Sequence, residues 1–227
     1  MKQYKMISAV IFDMDGTVFD TERLGVEKWI QAFEEIGIPA PVKVLYNKIG
    51  LSGKDSRKLM QQECGIQFDY DVVKKLKQKK IKDHISLYGT PVKEGLVELM
   101  EFLKTQGIKS AIATSRSREN TLFYLQNAGD NIDKQFDAII TGEMVERGKP
   151  NPDIFLLASK CLEVSPEHCL VVEDSVNGVK AAVAAQMRAV MIPDLVEPNL
   201  DLKQLVFTVK TSLRDIISII CKANDIG

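Results

Sequence analysis

Asp13 and Asp15 stand one residue apart at the end of an apolar run, Ala9-Val10-Ile11-Phe12, and Gly16 and Thr17 follow at once. Two carboxylates that close repel by roughly 4 kcal/mol at 4 Å for an effective dielectric of about 20. Both stay charged only where a cation joins them, so the pair asks for a metal. One carboxylate can attack phosphorus and form an aspartyl-phosphate that water later cleaves. The other can give a proton to the leaving oxygen and then take one from water. Asp13, at the terminus of the run, suits the nucleophile, and Asp15 the acid and base. Phosphoryl transfer is mostly positioning and charge stabilisation, so such a site needs a hard cation with oxygen ligands and fixed cationic or hydroxyl donors. Taken alone, the stretch also fits a polar turn, because Asp and Gly are ordinary turn residues.

The groups that would complete the site come much later in the chain. Thr114 and Ser115 end the run Ser110-Ala111-Ile112-Ala113, Lys149 lies in a loop after the run at 136–141, and Glu173-Asp174 ends Cys169-Leu170-Val171-Val172. Thr114 can hydrogen-bond a phosphate, Lys149 can neutralise it, and Asp174 can ligate Mg²⁺. Singly, each has a plainer reading: a helix cap for Thr114-Ser115 or Glu173-Asp174, a solvated loop residue for Lys149. Together they stand at the ends of short apolar runs that alternate with helical patterns, which implies right-handed crossovers and a parallel sheet. In such a sheet ligands bind at the carboxyl ends of the strands.

Between the acidic pair and that alternating pattern the chain reads as helix and turn. Asp20 or Thr21 can cap a helix whose stripe is Val26, Trp29, Ile30, Phe33 and Ile36, ended by Gly37. A short helix over 42–48, another reaching Cys64, and a longer one opened by Asp69 or Asp71 and closed by Gly89-Thr90-Pro91 follow. The expected fold is α/β, a Rossmann-like parallel sheet with an inserted all-helical cap domain. The core would comprise residues 1–20 and 90–227 and the cap residues 21–89. A weaker strand is expected at 205–209.

These motifs resemble the haloacid dehalogenase superfamily, in its subgroup of β-phosphoglucomutase-like phosphatases with a helical cap. Asp13-Met14-Asp15-Gly16-Thr17 is similar to the first motif and Thr114 to the second. Gly148-Lys149-Pro150-Asn151-Pro152-Asp153 is similar to the third, and Glu173-Asp174-Ser175 with Asn177-Gly178 to the fourth. The resemblance implies Asp13 as nucleophile and Asp15 as acid and base. It implies Mg²⁺ on Asp13, the backbone carbonyl of Asp15 and Asp174, with Glu173 binding directly or through water. It also implies a mobile cap hinged near Asp20-Thr21 and at 88–90. Mutases of the subgroup carry a histidine where this chain has Gly25 and bases where it has Ile49 and Gly53, with Lys54 beside them, so hydrolysis is favoured over mutase chemistry. A glycine is usual where Gln186 stands, which bears on helix-end geometry.

The cap loop around Gly50, Ser52 and Gly53-Lys54 fails the P-loop pattern, and Gly50 and Ser52 are taken as substrate-sensing. Ser115 and Arg116 are the candidates for the substrate's distal groups. The lysines between Lys74 and Lys82 form a basic run read as a solvated helix face, from which Lys79 or Lys80 alone would reach substrate. The net charge of −1 gives no long-range attraction to nucleic acid or anionic membrane. No apolar run approaches the 18 or so residues of a membrane span. Four cysteines without C-x-x-C spacing suggest neither a zinc site nor a disulfide framework. The expectation is a cytoplasmic monomer that uses Mg²⁺ to hydrolyse a small phosphorylated metabolite. A phosphosugar mutase and a phospho-acceptor signalling domain are the alternatives.

Overall fold

A computed structural model describes residues 5–49, 51, 53–65, 68–129 and 131–226. Its centre is a six-stranded sheet in the order β3-β2-β1-β4-β5-β6, with every pair parallel. The strands are β1 Ala9–Phe12, β2 Lys109–Thr114, β3 Ala138–Thr141, β4 Cys169–Glu173, β5 Arg188–Met191 and β6 Thr208–Val209. β1 is flanked by β2 on one side and β4 on the other, so the chain order reverses there. The crevice beyond the carboxyl end of β1 is where an open α/β sheet places its ligand.

The strands are apolar throughout because both faces are covered. Alternation sends Val10 and Phe12 to one face, against α5 (Leu96–Thr105), α6 (Arg118–Gln126) and α10 (Arg214–Asn224). Ala9 and Ile11 go to the other, against α7 (Asp153–Leu162) and α8 (Val176–Ala184). All four β1 residues are fully buried. Fixing them fixes where Asp13 leaves the sheet.

Between β1 and α5 stand α1 (Thr21–Glu35), α2 (Val42–Asn47), α3 (Gly53–Cys64) and α4 (Tyr70–Tyr88). They have an apolar cluster of their own, in which Val26, Trp29 and Phe33 of α1 meet Leu45, Met60, Phe68 and Tyr70. The Phe33 and Phe68 rings stack with centroids 5.3 Å apart. Leu24, Ile81 and Ile85 belong instead to the sheet's core and seat this helical layer on it. The two chain crossings between the layers run side by side: the Asp20 amide donates to the Pro91 carbonyl at 2.9 Å and the Lys93 amide to that of Val18 at 2.9 Å. Among the described residues no helix is long and apolar enough to cross a membrane.

Three local features depart from the expected pattern or refine it. The stretch expected as a strand at 205–209 is split into α9 (Leu200–Leu205) and the two-residue β6. Asn199 caps α9 by accepting from the Leu202 amide at 2.9 Å, a start signal that outweighs the apolar run after it. Asp20 precedes α1 but makes no side-chain cap bond; it lies 3.6 Å from Lys93 instead. Gln186 has φ +61°, the left-handed backbone in which a glycine costs nothing.

Candidate active site

Asp13 begins where β1 stops, and its amide still donates to the Val172 carbonyl at 2.9 Å. Its carboxylate, 13% exposed, accepts from Lys149 Nζ. The same ammonium reaches Glu173 Oε1 at 2.7 Å and the Ala113 carbonyl at 3.0 Å. It therefore ties the ends of β1, β2 and β4 together. Burial opposes the charge on Lys149, but Asp13 and Glu173 outweigh it and hold the ammonium above its ordinary range. Asp13 itself is pushed up to about 7, by burial and by Glu173 and Asp15, with Lys149 acting in the opposite direction.

Glu173 is fully buried, and both its oxygens accept hydrogen bonds. Its other oxygen, Oε2, accepts from the Asp174 amide at 3.1 Å and from the Ser175 amide and hydroxyl at 2.9 Å each. The side chain expected as a metal ligand, direct or through water, is thus placed as the holder of Lys149. Gly178 makes room for it: a Cβ there would stand 1.7 Å from Glu173 Oε1. Alanine inside a helix is ordinarily better than glycine by about 1 kcal/mol. Here that gain is overridden, because the carboxylate cannot move without stranding several buried partners. Gly178→Ala is expected to lose about 1–3 kcal/mol in urea denaturation; a more stable variant would show that Glu173 is not pinned.

Asp174 lies over the turn after Asp15. A Cβ on Gly16, whose φ is +78°, would come within 2.2 Å of Asp174 Oδ2. Burial raises the Asp174 carboxyl well above its usual range, and Glu173 and Asp13 raise it further. Two crowded carboxylates beside a turn carbonyl are hard oxygen donors of the kind Mg²⁺ takes while keeping several waters. Among the described residues no three His, Cys, Asp or Glu side chains converge on one metal position. Asp13 and Asp174, crowded together at the strand ends, are carboxylates that fit such a cation.

Asp15 is held differently from Asp13. Arg116 grips it as a fork, Nε to Oδ2 at 2.6 Å and Nη2 to Oδ1 at 2.7 Å, and the Thr21 hydroxyl donates to Oδ1 as well. Burial would raise this carboxyl, yet Arg116 and Thr21 hold it below the usual carboxylate value. Arg116, expected to meet a distal anion of the substrate, is engaged on Asp15. Its guanidinium lies over the Tyr124 ring, 4.3 Å from the centroid.

Thr114 and Ser115 do not cap the next helix. Ser117 does, accepting from the Asn120 amide. Likewise Ser175, not Glu173 or Asp174, caps α8, accepting from the Gly178 amide at 3.0 Å. Both strand ends are left to line a cavity of about 560 Å³ with Asp13, Asp15, Lys149 and Asp174. The helical layer closes its far side with Glu22, Ile49, Leu51 and Gly53. Gly50 and Ser52, expected to sense substrate, lie outside the described residues.

The motifs gave no sign of what the helical layer adds. Glu22 is half-buried near Asp15, and desolvation and that neighbour raise its carboxyl. Of the lysine run, Lys77 is the member whose charge acts on Asp15 and Glu22. Its ammonium is pushed down to about 7 by burial and by the charges of Arg116 and Lys48. Lys80 turns away to Glu35 at 2.5 Å. The available signal was helical spacing: Lys77 shares a face with Val73 and Ile81, both buried.

The haloacid dehalogenase-like hydrolase family pattern matches residues 7–186. A phosphorylated carbohydrates phosphatase of Thermotoga maritima is 33% identical over 181 residues, 79% of this chain and 82% of that protein. A β-phosphoglucomutase of Bacillus subtilis is 32% identical over 191 residues, 81% of this chain and 82% of that one. The crystal structure of a mutant CbbY from Rhodobacter sphaeroides in complex with xylulose-(1,5)-bisphosphate superposes with a TM-score of 0.74 at 25% identity. It covers 92% of this chain and 96% of that chain.

Proposed function

The chain belongs to the haloacid dehalogenase-like hydrolases, whose matching relatives include proteins named phosphatases, and from that membership we propose Mg²⁺-dependent hydrolysis of a small phosphomonoester. The observation that carries this reading is the Asp13–Lys149–Glu173 arrangement at the point where strand order reverses. A nucleophile is thereby fixed beside a cation that can take up phosphoryl charge. Asp13 attacks phosphorus, the bond from phosphorus to the leaving oxygen breaks, and that oxygen takes a proton from Asp15. Water then attacks the aspartyl-phosphate and gives a proton to Asp15; the bond to Asp13 breaks and inorganic phosphate departs. Lys149 and the Thr114 hydroxyl stabilise the phosphoryl oxygens through both steps. Mg²⁺, held by Asp13, Asp174 and the Asp15 carbonyl, would supply further neutralisation of the phosphoryl group.

Residues 21–89 are proposed to move as a cap on the core of residues 1–20 and 90–227, and closing it excludes bulk water from the acyl phosphate. A phosphosugar mutase is the second reading, favoured by the β-phosphoglucomutase relative. Against it, Gly25 stands where mutases of the subgroup carry a histidine. The test is phosphate release from a panel of phosphorylated sugars, nucleoside monophosphates and small phospho-acids. Turnover is expected with Mg²⁺, falling at least about 100-fold in EDTA and returning when Mg²⁺ is restored. Activity indifferent to EDTA would remove the metal from the mechanism. A hexose 1-phosphate converted to its isomer without free phosphate would favour the mutase.

A further inference from the structure

We propose that the active cavity seats an aliphatic leaving group, so that the preferred substrates are phosphomonoesters of alcohols with a short hydrocarbon portion and few further hydroxyls. This rests on the reading of the site as a phosphomonoester hydrolase and narrows its substrate class. The cavity lined by Asp13 and Asp15 does not end at Asp174. It continues into a lobe of about 230 Å³, and Ile49, Leu51, Asp174, Ser175 and Asn177 line both spaces. Val176 and Val196 complete the lobe. Four aliphatic side chains from three separate stretches thus converge beside the reaction centre: Ile49 and Leu51 from the helical layer, Val176 at the start of α8, and Val196 from the segment after β5.

Three of the four are exposed although they are large and apolar, Leu51 at 42%, Val176 at 40% and Val196 at 39%. Scattered apolar residues on a surface need no explanation, but a group of them bordering a cleft marks a ligand groove. The polar groups of the lobe are meanwhile occupied. Ser175 spends its one hydroxyl proton on Glu173 Oε2 at 2.9 Å and accepts from the Gly178 amide at 3.0 Å. Asn177 is engaged as well, and Asp174 belongs to the proposed Mg²⁺ site. A polyol entering here gives up hydration for a wall that returns few hydrogen bonds. An alkyl chain gives up none and covers bare aliphatic surface. The wall also has two halves, Val176 and Val196 on the core and Ile49 and Leu51 on the helical layer. A hydrocarbon seated between them draws the two together, which ties occupancy of the lobe to the proposed closure of the cap.

The test uses pairs that share a carbon skeleton, each with Mg²⁺: propyl phosphate with glycerol 1-phosphate, and pentyl phosphate with ribitol 5-phosphate. Pentyl phosphate is expected to exceed both ribitol 5-phosphate and propyl phosphate by at least about tenfold in kcat/KM, the lower end of what one methylene is worth in an apolar pocket. Val176→Thr with Val196→Thr keeps the shape of the wall and adds two hydroxyls. In that variant the pentyl preference should fall below about threefold, through a higher KM for pentyl phosphate. Calorimetry separates the lobe from the hydrolysis. Pentylphosphonate, which has no ester bond to hydrolyse, is expected to bind the parent at least about tenfold more tightly than methylphosphonate, and the variant about equally. Equal affinity of the two phosphonates for the parent would overturn the proposal. So would release from glycerol 1-phosphate and ribitol 5-phosphate at least as efficient as from the alkyl esters, or equal losses on both members of each pair in the folded variant. Tighter binding of pentylphosphonate without phosphate release from any of the four esters would uphold the lobe and overturn the hydrolase reading instead.

Discussion

Asp13→Asn is expected to lower phosphate release by at least about 10⁴-fold, with the melting temperature within a few degrees of the parent. The amide oxygen can still accept a hydrogen bond from Lys149, but it cannot form an acyl phosphate. The fold should persist because Lys149 keeps its bonds to Glu173 at 2.7 Å and to the Ala113 carbonyl at 3.0 Å. Burial and two neighbouring carboxylates act against the charge on Asp13, so part of the cost of removing it is offset. Acid-quenched reactions with radiolabelled substrate should show protein-bound phosphate in the parent and none in the variant. Activity within about tenfold of the parent would sink the assignment of Asp13 as nucleophile.

That the proposed nucleophile was legible in the sequence at all depends on how a parallel sheet announces itself. Ala9-Val10-Ile11-Phe12 is apolar at every position because both faces of β1 are covered. The first polar residue after such a run marks the strand's carboxyl end. Thr114 and Glu173-Asp174 were found by the same logic, and Lys149 by its place after β3. The stripe of α1 gave the helical layer equally well, since Val26, Trp29 and Phe33 are all buried.

What the sequence concealed are the contacts between those ends. Nothing in the spacing of Glu173 distinguishes a metal ligand from a holder of Lys149, because the difference lies in which donors surround its two oxygens. Arg116 follows Ser115 at a strand end, so it was placed correctly in the site, but its grip on Asp15 joins residues 101 apart in the chain. Glu22 reaches the cavity, and Lys77 comes near Asp15, because Leu24, Ile81 and Ile85 seat the helical layer on the sheet's core. Periodicity predicts which helix face is buried; it does not predict which charge at the margin of that face meets a site built from another part of the chain.

Lys149→Met should be the most damaging single change to the molecule as a whole, since it removes both a fold contact and a charge the proposed reaction uses. The ammonium is 6% exposed and serves two carboxylates, one of them fully buried. Without it, Asp13 and Glu173 face each other with Asp174 close by and no cation between them. Breaking a buried ion pair in this way costs about 3–5 kcal/mol, a large part of the 5–15 kcal/mol that holds a typical domain folded. Methionine restores most of the volume, so the loss reports charge and not packing. A second substitution separates the two roles. Lys149→Met with Glu173→Gln removes the partner along with the cation and should recover at least half of the lost stability in urea denaturation. It should recover none of the activity, which is expected to stay at least about 10²-fold below the parent in fully folded protein. Stability and activity returning together in the double variant would mean that Lys149 serves only to hold the strand ends. Stability lost beyond recovery would mean that Glu173 has a further task in the turn before α8, where its Oε2 already takes the Asp174 and Ser175 amides.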